Sequence, residues 1–229
     1  MAQLITINQN NFHESISRAV SVLDLGGIVA FPTDTVYGVG VDAFNPKAVE
    51  KIYAAKGRQK NKPLPVLVAS FNDVLKISAN LPPVFEKLAT AFWPGALTIV
   101  VEANSALPAE ITAGRNTVGV RMPDNPIALK LIENFGNPLA TTSANISGER
   151  EAVTAEEVQV SLGDKIEMIL DGGATIPSFS PLSQREKGGI VSTVLDLSVT
   201  PPVIRRRGQI AAGQIADVLC VNPSVTSYQ

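Results

Sequence analysis

The sequence predicts an α/β fold built on one large, twisted and mostly mixed β-sheet with helices on its faces. Short apolar runs of strand length alternate with segments whose apolar residues recur at helical spacing, as in Ile16, Ala19 and Leu23. Several predicted strands follow one another without a helix between them, which favours a mixed sheet. The contents of 45% hydrophobic and 17% charged residues are typical of a globular protein with a sizeable core.

The predicted elements fill most of the chain. Strands are assigned to short runs of apolar and β-branched residues, and helices to longer periodic segments. In chain order the elements are a helix at 12–25, strands at 28–31 and 39–41, a helix from Asn45, a strand at 66–68, helices at 71–78 and 82–92, strands at 97–101 and 117–122, a helix at 126–135, a strand at 139–142, a helix from Thr154, and strands at 166–170, 190–197 and 202–206.

Capping residues support several of these bounds. Asn45 before Pro46 is typical of a helix start, with a cap acceptor and a proline in the first turn. Thr154 with Glu157 three residues later is a capping-box pattern, and Gly136 is typical of a residue that ends a helix. Residue preferences and periodicity therefore predict the same helices.

No internal repeat or linker divides the chain, so we predict a single domain over 1–229 with its core at about 12–210. The stretch 174–189 has no periodicity and is predicted to be a long surface loop, whose role as a lid the sequence leaves open. The tail at about 215–229 is expected to be weakly ordered.

Composition excludes several classes of protein. The net charge of −2 and the pI near 5.5 disfavour a protein that coats nucleic acid, since such proteins are usually basic. Cys220 is the only cysteine, which excludes a disulfide framework and a cysteine-based zinc site. The first residues lack a signal-peptide layout, and no apolar run is long enough to span a membrane. We therefore expect a cytoplasmic protein.

A cluster of cations follows the helix that starts at Asn45, and its members are Lys51, Lys56, Arg58, Lys60 and Lys62. One interpretation is a solvated helix end, where cations offset the negative end of the helix dipole. The other is a phosphate site, because an arginine fork beside lysine point charges is a common way to bind phosphate. The prolines at 63 and 65 hold the next backbone extended and give Lys62 a set direction.

The segment Thr141–Asn145 follows a predicted strand, at the sheet edge where open sheets place ligands. A turn that caps the next segment is an equally good interpretation. Ser143 lacks a nucleophile-elbow context and the only histidine is His13, so a serine-hydrolase role is disfavoured. The functional alternative is a polar ligand to phosphate or Mg²⁺.

The segment Pro32–Gly38 is either a plain turn between strands or the lining of a small amino-acid pocket, with two threonines and a tyrosine. The chain contains no P-loop sequence, so ATP binding would use another arrangement. Arg121 and Arg206 lie at strand ends, where charges protect sheet edges or line one face of a site.

These three blocks, in this order, resemble the YrdC/TsaC family of threonylcarbamoyl-AMP synthases over about residues 15–210. The resemblance implies the YrdC-like fold (α+β by some schemes), with a central concave cavity, in its short single-domain form. It also implies site residues. The catalytic set is Lys56, Arg58, Ser143 and Asn145; the ATP set is Arg58, Lys62, Thr117, Ser143 and Arg206; the threonine set is Thr35, Arg121, Thr141 and Ser192.

The reaction implied by the resemblance is that of a nucleotidyltransferase. It joins L-threonine, bicarbonate and ATP into threonylcarbamoyl-AMP and pyrophosphate, for the threonylcarbamoyladenosine modification of tRNA. Mg²⁺ would come with ATP, without a direct protein metal motif, and downstream tRNA-modifying proteins would use the product. Gln59 and Leu67 depart from the family pattern, so the preference for threonine over other amino acids stays open.

Two alternatives remain. One is a module that binds tRNA or double-stranded RNA without catalysis, although the acidic pI and the 5% of aromatic residues disfavour it. The other is a paralogue with a different carbamoyl or amino-acid substrate. The sequence leaves the oligomeric state undetermined.

Overall fold

The computed structural model describes residues 1–175, 191–220 and 224–225. The strands in these ranges are β1 (Gln3–Thr6), β2 (Val29–Phe31), β3 (Gly38–Asp42), β4 (Val66–Leu67), β5 (Leu97–Glu102), β6 (Thr117–Arg121), β7 (Leu139–Ser143), β8 (Met168–Asp171), β9 (Thr193–Asp196), β10 (Val203–Arg206) and β11 (Ser224–Val225). The helices are α1 (Phe12–Asp24), α2 (Pro46–Lys56), α3 (Phe71–Ile77), α4 (Val84–Phe92), α5 (Ala109–Thr112), α6 (Pro126–Phe135), α7 (Ala155–Leu162) and α8 (Ala212–Leu219).

All described strands join one sheet in the order β1-β8-β2-β3-β7-β4-β6-β5-β9-β10-β11. The sheet is mixed: β2, β3, β7 and β4 are successively antiparallel, whereas β4 pairs parallel with β6 and β5 pairs parallel with β9. The predicted α/β fold with a large mixed sheet is therefore confirmed. The pairing places the end of β7 beside the start of β3, with Ser143 opposite Gly38.

Apolar side chains cover both faces of the sheet in its β8-β2-β3-β7 region. Val29 and Phe31 belong to a cluster with α1 and α6, whereas Ala30 between them belongs to a larger cluster with α2 and α4. This alternation follows from the period of two in a strand. On the α1 and α6 face, the cluster reaches Leu139, and Thr141 is the next residue of that strand on the same face. Polar residues therefore begin where the cover by these two helices ends.

Most predicted elements are confirmed within one to three residues, and the exceptions are short or polar. β1 was not predicted, because three of its four residues are exposed and the fourth is only half-buried. α5 was not predicted, because a four-residue helix has no measurable periodicity. At α7, Thr154 accepts from the N–H of Glu157, but the Glu157 carboxylate binds the N–H of Val153 instead of closing the predicted box.

The C-terminal region differs from the expectation of a weak tail from about residue 215. Residues 212–219 form α8, and Ile215 is fully buried in the large apolar cluster. An apolar side chain every three to four residues holds this helix on the protein. Residues 221–223 and 226–229 of the predicted tail, and residues 176–189 of the predicted loop, lie outside the described residues.

No helix within residues 1–175, 191–220 and 224–225 combines the length and the apolar character needed to cross a bilayer.

The start of α2 is the cap that the sequence predicts, and its loss should destabilise the protein. Asn45 Oδ1 accepts a hydrogen bond from the N–H of Ala48 at 3.2 Å, and Pro46 occupies the first turn. We expect Asn45→Ala to lower the free energy of unfolding by about 1 kcal/mol, because one helix N–H loses its acceptor. Urea denaturation measures the change. Asn45→Asp, which keeps an acceptor, should stay close to wild type, and equal losses in both variants would contradict the capping role.

Candidate active site

The buried ammonium of Lys56 joins two of the three sequence blocks. α2 ends at Lys56 because Gly57 adopts a left-handed backbone with φ of 60°. The Lys56 side chain, only 1% exposed, donates hydrogen bonds to the backbone carbonyls of Ser143 and Asn145. The 56–58 block and the 141–145 block thus meet, as the resemblance implies. Two of the three ammonium donors are used by the protein itself, which leaves one for a ligand.

Arg58 stabilises the turn that carries Lys62. Its guanidinium donates to the carbonyls of Lys62 (3.3 Å) and Pro63 (3.0 Å), and the Tyr53 hydroxyl also donates to the Lys62 carbonyl at 2.8 Å. Burial lowers the pKa of Arg58, whereas the interaction with Tyr53 raises it. The Lys62 side chain is exposed. The Arg58 guanidinium is therefore fixed against the backbone of this turn, whereas the Lys62 side chain is exposed to solvent.

The side-chain amide of Asn145 binds two backbone carbonyls through its nitrogen, and its oxygen is left without a partner among the described residues. Its Nδ2 donates to the carbonyls of Ile146 (2.9 Å) and Glu149 (2.8 Å), but its buried Oδ1 has no hydrogen-bond partner. Asn145 also lines a cavity of about 620 Å³ with Glu149, Glu151, Glu156 and Glu157, and none of the other predicted site residues lines that cavity. The half-buried Ser143 hydroxyl makes no hydrogen bond within the described part of the chain. The turn thus carries one hydroxyl and one buried amide oxygen that have no hydrogen-bond partner among the described residues.

Arg121 lies at the end of β6 and joins the third block. Its Nε donates to the Gly95 carbonyl (2.9 Å), its Nη1 to Thr35 Oγ1 (3.2 Å) and its Nη2 to Asp34 Oδ1 (2.5 Å). Burial lowers the pKa of Arg121, whereas the charge of Asp34 raises it. Thr33 shapes the preceding turn, since its hydroxyl accepts from the N–H of Thr35 at 3.1 Å. Thr35 and Arg121, both predicted as threonine-binding residues, are therefore in direct contact.

Arg206 and Ser192 form a second polar group, which includes Thr98. Arg206 donates to the Ser192 carbonyl (3.1 Å) and to Ser192 Oγ (2.9 Å), which in turn shares a 2.8 Å hydrogen bond with Thr98 Oγ1. Arg205 instead binds Asp196, as expected for neighbours that point to opposite faces of a strand. An irregular register between Ile204 and Arg206 accompanies this change of direction.

Electrostatic interactions connect the two halves of the site. Besides burial, the charge of Arg58 lowers the pKa of Lys56, and the charge of Arg121 lowers that of Arg206. The charge of Glu151 raises the pKa of both Lys56 and Arg206, so this carboxylate lies within electrostatic reach of both. Electrostatic interactions thus link Lys56 with Arg58 and Arg121 with Arg206, and Glu151 links the two pairs. The excess of positive charge favours an anionic ligand such as a polyphosphate.

Among the described residues, no hydrogen bond joins the predicted site residues Thr141 and Thr117 to the cationic groups above. Thr141 is buried and donates to the Pro65 carbonyl at 3.3 Å. Thr117 precedes Arg121 by four residues on β6, about 13 Å along the strand, and lines a separate cavity of about 430 Å³ with Asn80 and Glu102. None of the other predicted site residues lines that cavity.

Sequence reasoning missed three residues of the site: Asp34, Thr98 and Glu151. Asp34 lies inside the recognised block, and an acidic residue between two threonines was a usable signal. Thr98 is one of many strand threonines, and nothing in its sequence neighbourhood distinguishes it. Glu151 lies in a loop with other charged residues.

The site contains two side-chain oxygen groups that could bind Mg²⁺. The described residues contain no group of three or more His, Cys, Asp or Glu side chains arranged to hold a metal ion. The unpartnered Asn145 Oδ1 and the Ser143 hydroxyl are oxygen ligands of the kind that Mg²⁺ takes when phosphates supply the rest of its shell. These two oxygen groups therefore fit a metal ion that arrives with ATP.

Lys56 should make the stability of the protein depend on pH. Burial and the charge of Arg58 lower its pKa from 10.5 to about 8. Between these two values the unfolded chain binds more protons at this side chain than the folded protein, so stability rises with pH through that window. We expect the free energy of unfolding of the wild type, minus that of Lys56→Met, to rise by about 2 kcal/mol between about pH 7 and about pH 10.

Chemical denaturation at a series of pH values measures this difference. Lys60→Met is the matched control, because Lys60 is a largely exposed cation four residues away. A difference that falls with pH, or that Lys60→Met reproduces, would contradict a buried charge at Lys56.

Comparisons with known proteins show the family of this chain. A family model described as Telomere recombination, for the Sua5, YciO and YrdC proteins, matches residues 21–208. The threonylcarbamoyl-AMP synthase of Pyrococcus abyssi is 40% identical over 219 residues, which are 96% of this chain and 61% of that protein. The synthase of Bacillus subtilis is 41% identical over 89% of this chain and 56% of its own length. The chain thus spans about 60% of the length of these two relatives.

Other relatives and structures extend the comparison. A putative threonylcarbamoyl-AMP synthase of Mycobacterium tuberculosis is 38% identical over 90% of both chains. The crystal structure of Pyrococcus abyssi Sua5 complexed with L-threonine superposes with a TM-score of 0.87 and 38% identity, over 99% of this chain and 62% of that one. Escherichia coli YciO, at 24% identity and a TM-score of 0.79 over 93% of this chain and 99% of its own, supports the fold alone. The chain belongs to the Sua5/YciO/YrdC family.

Proposed function

We propose that the chain is an L-threonylcarbamoyladenylate synthase, a nucleotidyltransferase that forms threonylcarbamoyl-AMP and pyrophosphate from L-threonine, bicarbonate and ATP. The observation that carries the proposal is the meeting of remote segments around one cationic site. Lys56 binds the Ser143–Asn145 turn, and Glu151 is within electrostatic reach of both Lys56 and Arg206. Family membership and the relatives named threonylcarbamoyl-AMP synthase support it.

The triphosphate is assigned to the cations that retain donors. Arg58 and Lys62 come from one turn and Arg206 from β10, so the phosphates lie between them and Ser143 orients a phosphate oxygen. Lys56 adds charge and holds the Ser143–Asn145 turn in place, with at most one donor for a phosphate. Thr117, whose contacts lie in another cavity, stays a prediction for the ATP set.

The amino acid is assigned to the Arg121 end of the site. Arg121 binds its carboxylate, and Thr35, which Arg121 already contacts, lines the pocket with Ser192. Thr141, whose hydroxyl donates to the Pro65 carbonyl, stays a prediction for the threonine set. Leu67 pairs with Arg121 in the β4–β6 ladder, so this departure from the family pattern bears on the preference for threonine.

The chemistry requires mainly position and charge. The amine of threonine and bicarbonate first form a carbamate with loss of water, and a carbamate oxygen then attacks the α-phosphorus in line as pyrophosphate leaves. The fixed cations neutralise charge that develops on the phosphates. Mg²⁺ that arrives with ATP would supply further neutralisation of the phosphates, and Asn145 and Ser143 are the residues that would hold it. The product would pass to downstream tRNA-modifying proteins in the cytoplasm.

Pyrophosphate release from ATP tests the reaction class. We expect release that requires both L-threonine and bicarbonate, because the carbamate is the nucleophile. Replacement of threonine by serine then tests the pocket beside Leu67. Absence of turnover, together with tight and salt-dependent tRNA binding that ATP does not affect, would instead favour the RNA-binding alternative.

Arg58→Ala should lower the rate of pyrophosphate release by about a hundredfold or more, because one fixed donor to the transferring phosphates is lost. The fold should persist, because the described hydrogen bonds of the Arg58 side chain reach the carbonyls of Lys62 and Pro63 in the adjoining turn. Far-UV circular dichroism and a thermal melt check the fold, and Lys60→Ala is the matched control from the same segment. Retained activity in Arg58→Ala would remove it from the catalytic set.

A further inference from the structure

Asp34 forms a close ion pair with Arg121 at the proposed amino-acid end of the site. It lies in the loop between β2 and β3, directly before Thr35. Its Oδ1 accepts from Arg121 Nη2 at 2.5 Å and from the N–H of Asp124 at 3.0 Å. Two donors from two other segments thus hold this carboxylate in one orientation.

The ion pair leaves unused binding capacity on both partners. Asp34 Oδ2 receives no hydrogen bond from any described residue, and the Asp34 side chain is 15% exposed, so it can still meet a ligand. Arg121 uses three of its five N–H donors, on Gly95, Thr35 and Asp34. The Arg121 guanidinium and the Asp34 carboxylate therefore lie side by side, and each can still form further hydrogen bonds.

We infer that Asp34 binds the ammonium group of the amino-acid substrate while Arg121 binds its carboxylate; this inference rests on the proposed function. In an α-amino acid the ammonium group is bonded to the α-carbon and the carboxylate carbon is its neighbour, so the two opposite charges lie close together. A fixed arginine–aspartate pair presents the complementary charges at similar spacing. Because a buried charge without a partner is costly, each group of the zwitterion gains a partner when both are bound together.

A purely positioning role is the competing explanation. Asp34 would then only orient Arg121, and every ligand with a carboxylate would depend on it equally. The two explanations differ for a ligand that keeps the carboxylate and the hydroxyl of threonine but lacks the amine. 3-Hydroxybutanoate is such a ligand. It leaves Asp34 without a new donor, so the direct contact predicts a penalty that positioning does not.

Isothermal titration calorimetry with L-threonine and with 3-hydroxybutanoate tests the inference on the full chain. We expect the wild type to bind threonine about tenfold or more tightly than 3-hydroxybutanoate, because a hydrogen bond between charged groups is lost with the amine. Asp34→Asn should reduce this ratio to near one. Asp124→Asn is the matched control, since it removes an exposed neighbouring carboxylate but keeps the backbone N–H that Asp34 accepts.

Each result decides the inference. A ratio near one in the wild type, or an unchanged ratio in Asp34→Asn with both ligands weakened, would overturn it and leave the proposed function intact. Failure of the wild type to bind threonine at all would overturn both. Asp34→Glu, which keeps a carboxylate, should preserve part of the preference, and the wild-type ratio remains decisive if Asp34→Asn does not fold.

Discussion

One buried ammonium group connects the parts of this site. Lys56 ends α2, and its hydrogen bonds to the carbonyls of Ser143 and Asn145 tie that helix to the turn after β7. A charged group this deeply buried is stable only with such partners, because its desolvation costs more than a neutral hydrogen bond returns. The position of this turn consequently depends on one side chain from a distant segment, as do the Asn145 oxygen and the Ser143 hydroxyl, which have no hydrogen-bond partner among the described residues.

The other charges of the site follow the same constraint with different partners. Arg121 is buried beside Asp34, Arg206 is held by Ser192, and Arg58 is held by backbone carbonyls. Only the first of these pairs neutralises its cation at close range. The region between them is therefore positive where phosphates would bind and nearly neutral where a zwitterionic amino acid would bind. This difference in charge balance is consistent with two substrates of different charge in one site.

Sequence patterns predicted the elements that carry the site better than the contacts within it. The Asn45 cap, the Gly136 stop and the strand before Ser143 are local features, since a few neighbouring residues determine them. β1 and α5 were not predicted because they are too short or too exposed for a period to show. α8 was assigned to a weak tail, and only the burial of Ile215 against the rest of the protein reveals why it is ordered.

The sequence by itself determined the mixed α/β class, the absence of a P-loop or hydrolase nucleophile, and the three blocks whose residues could bind phosphate and an amino acid. The tertiary structure alone decided which of these groups are free and which bind each other: Lys56 to the carbonyls of the distant turn, Asp34 to Arg121, and Thr98 to Ser192. The physical reason is that hydrogen bonds between residues 86 to 94 positions apart arise from the order of strands in the sheet, and no local preference encodes that order.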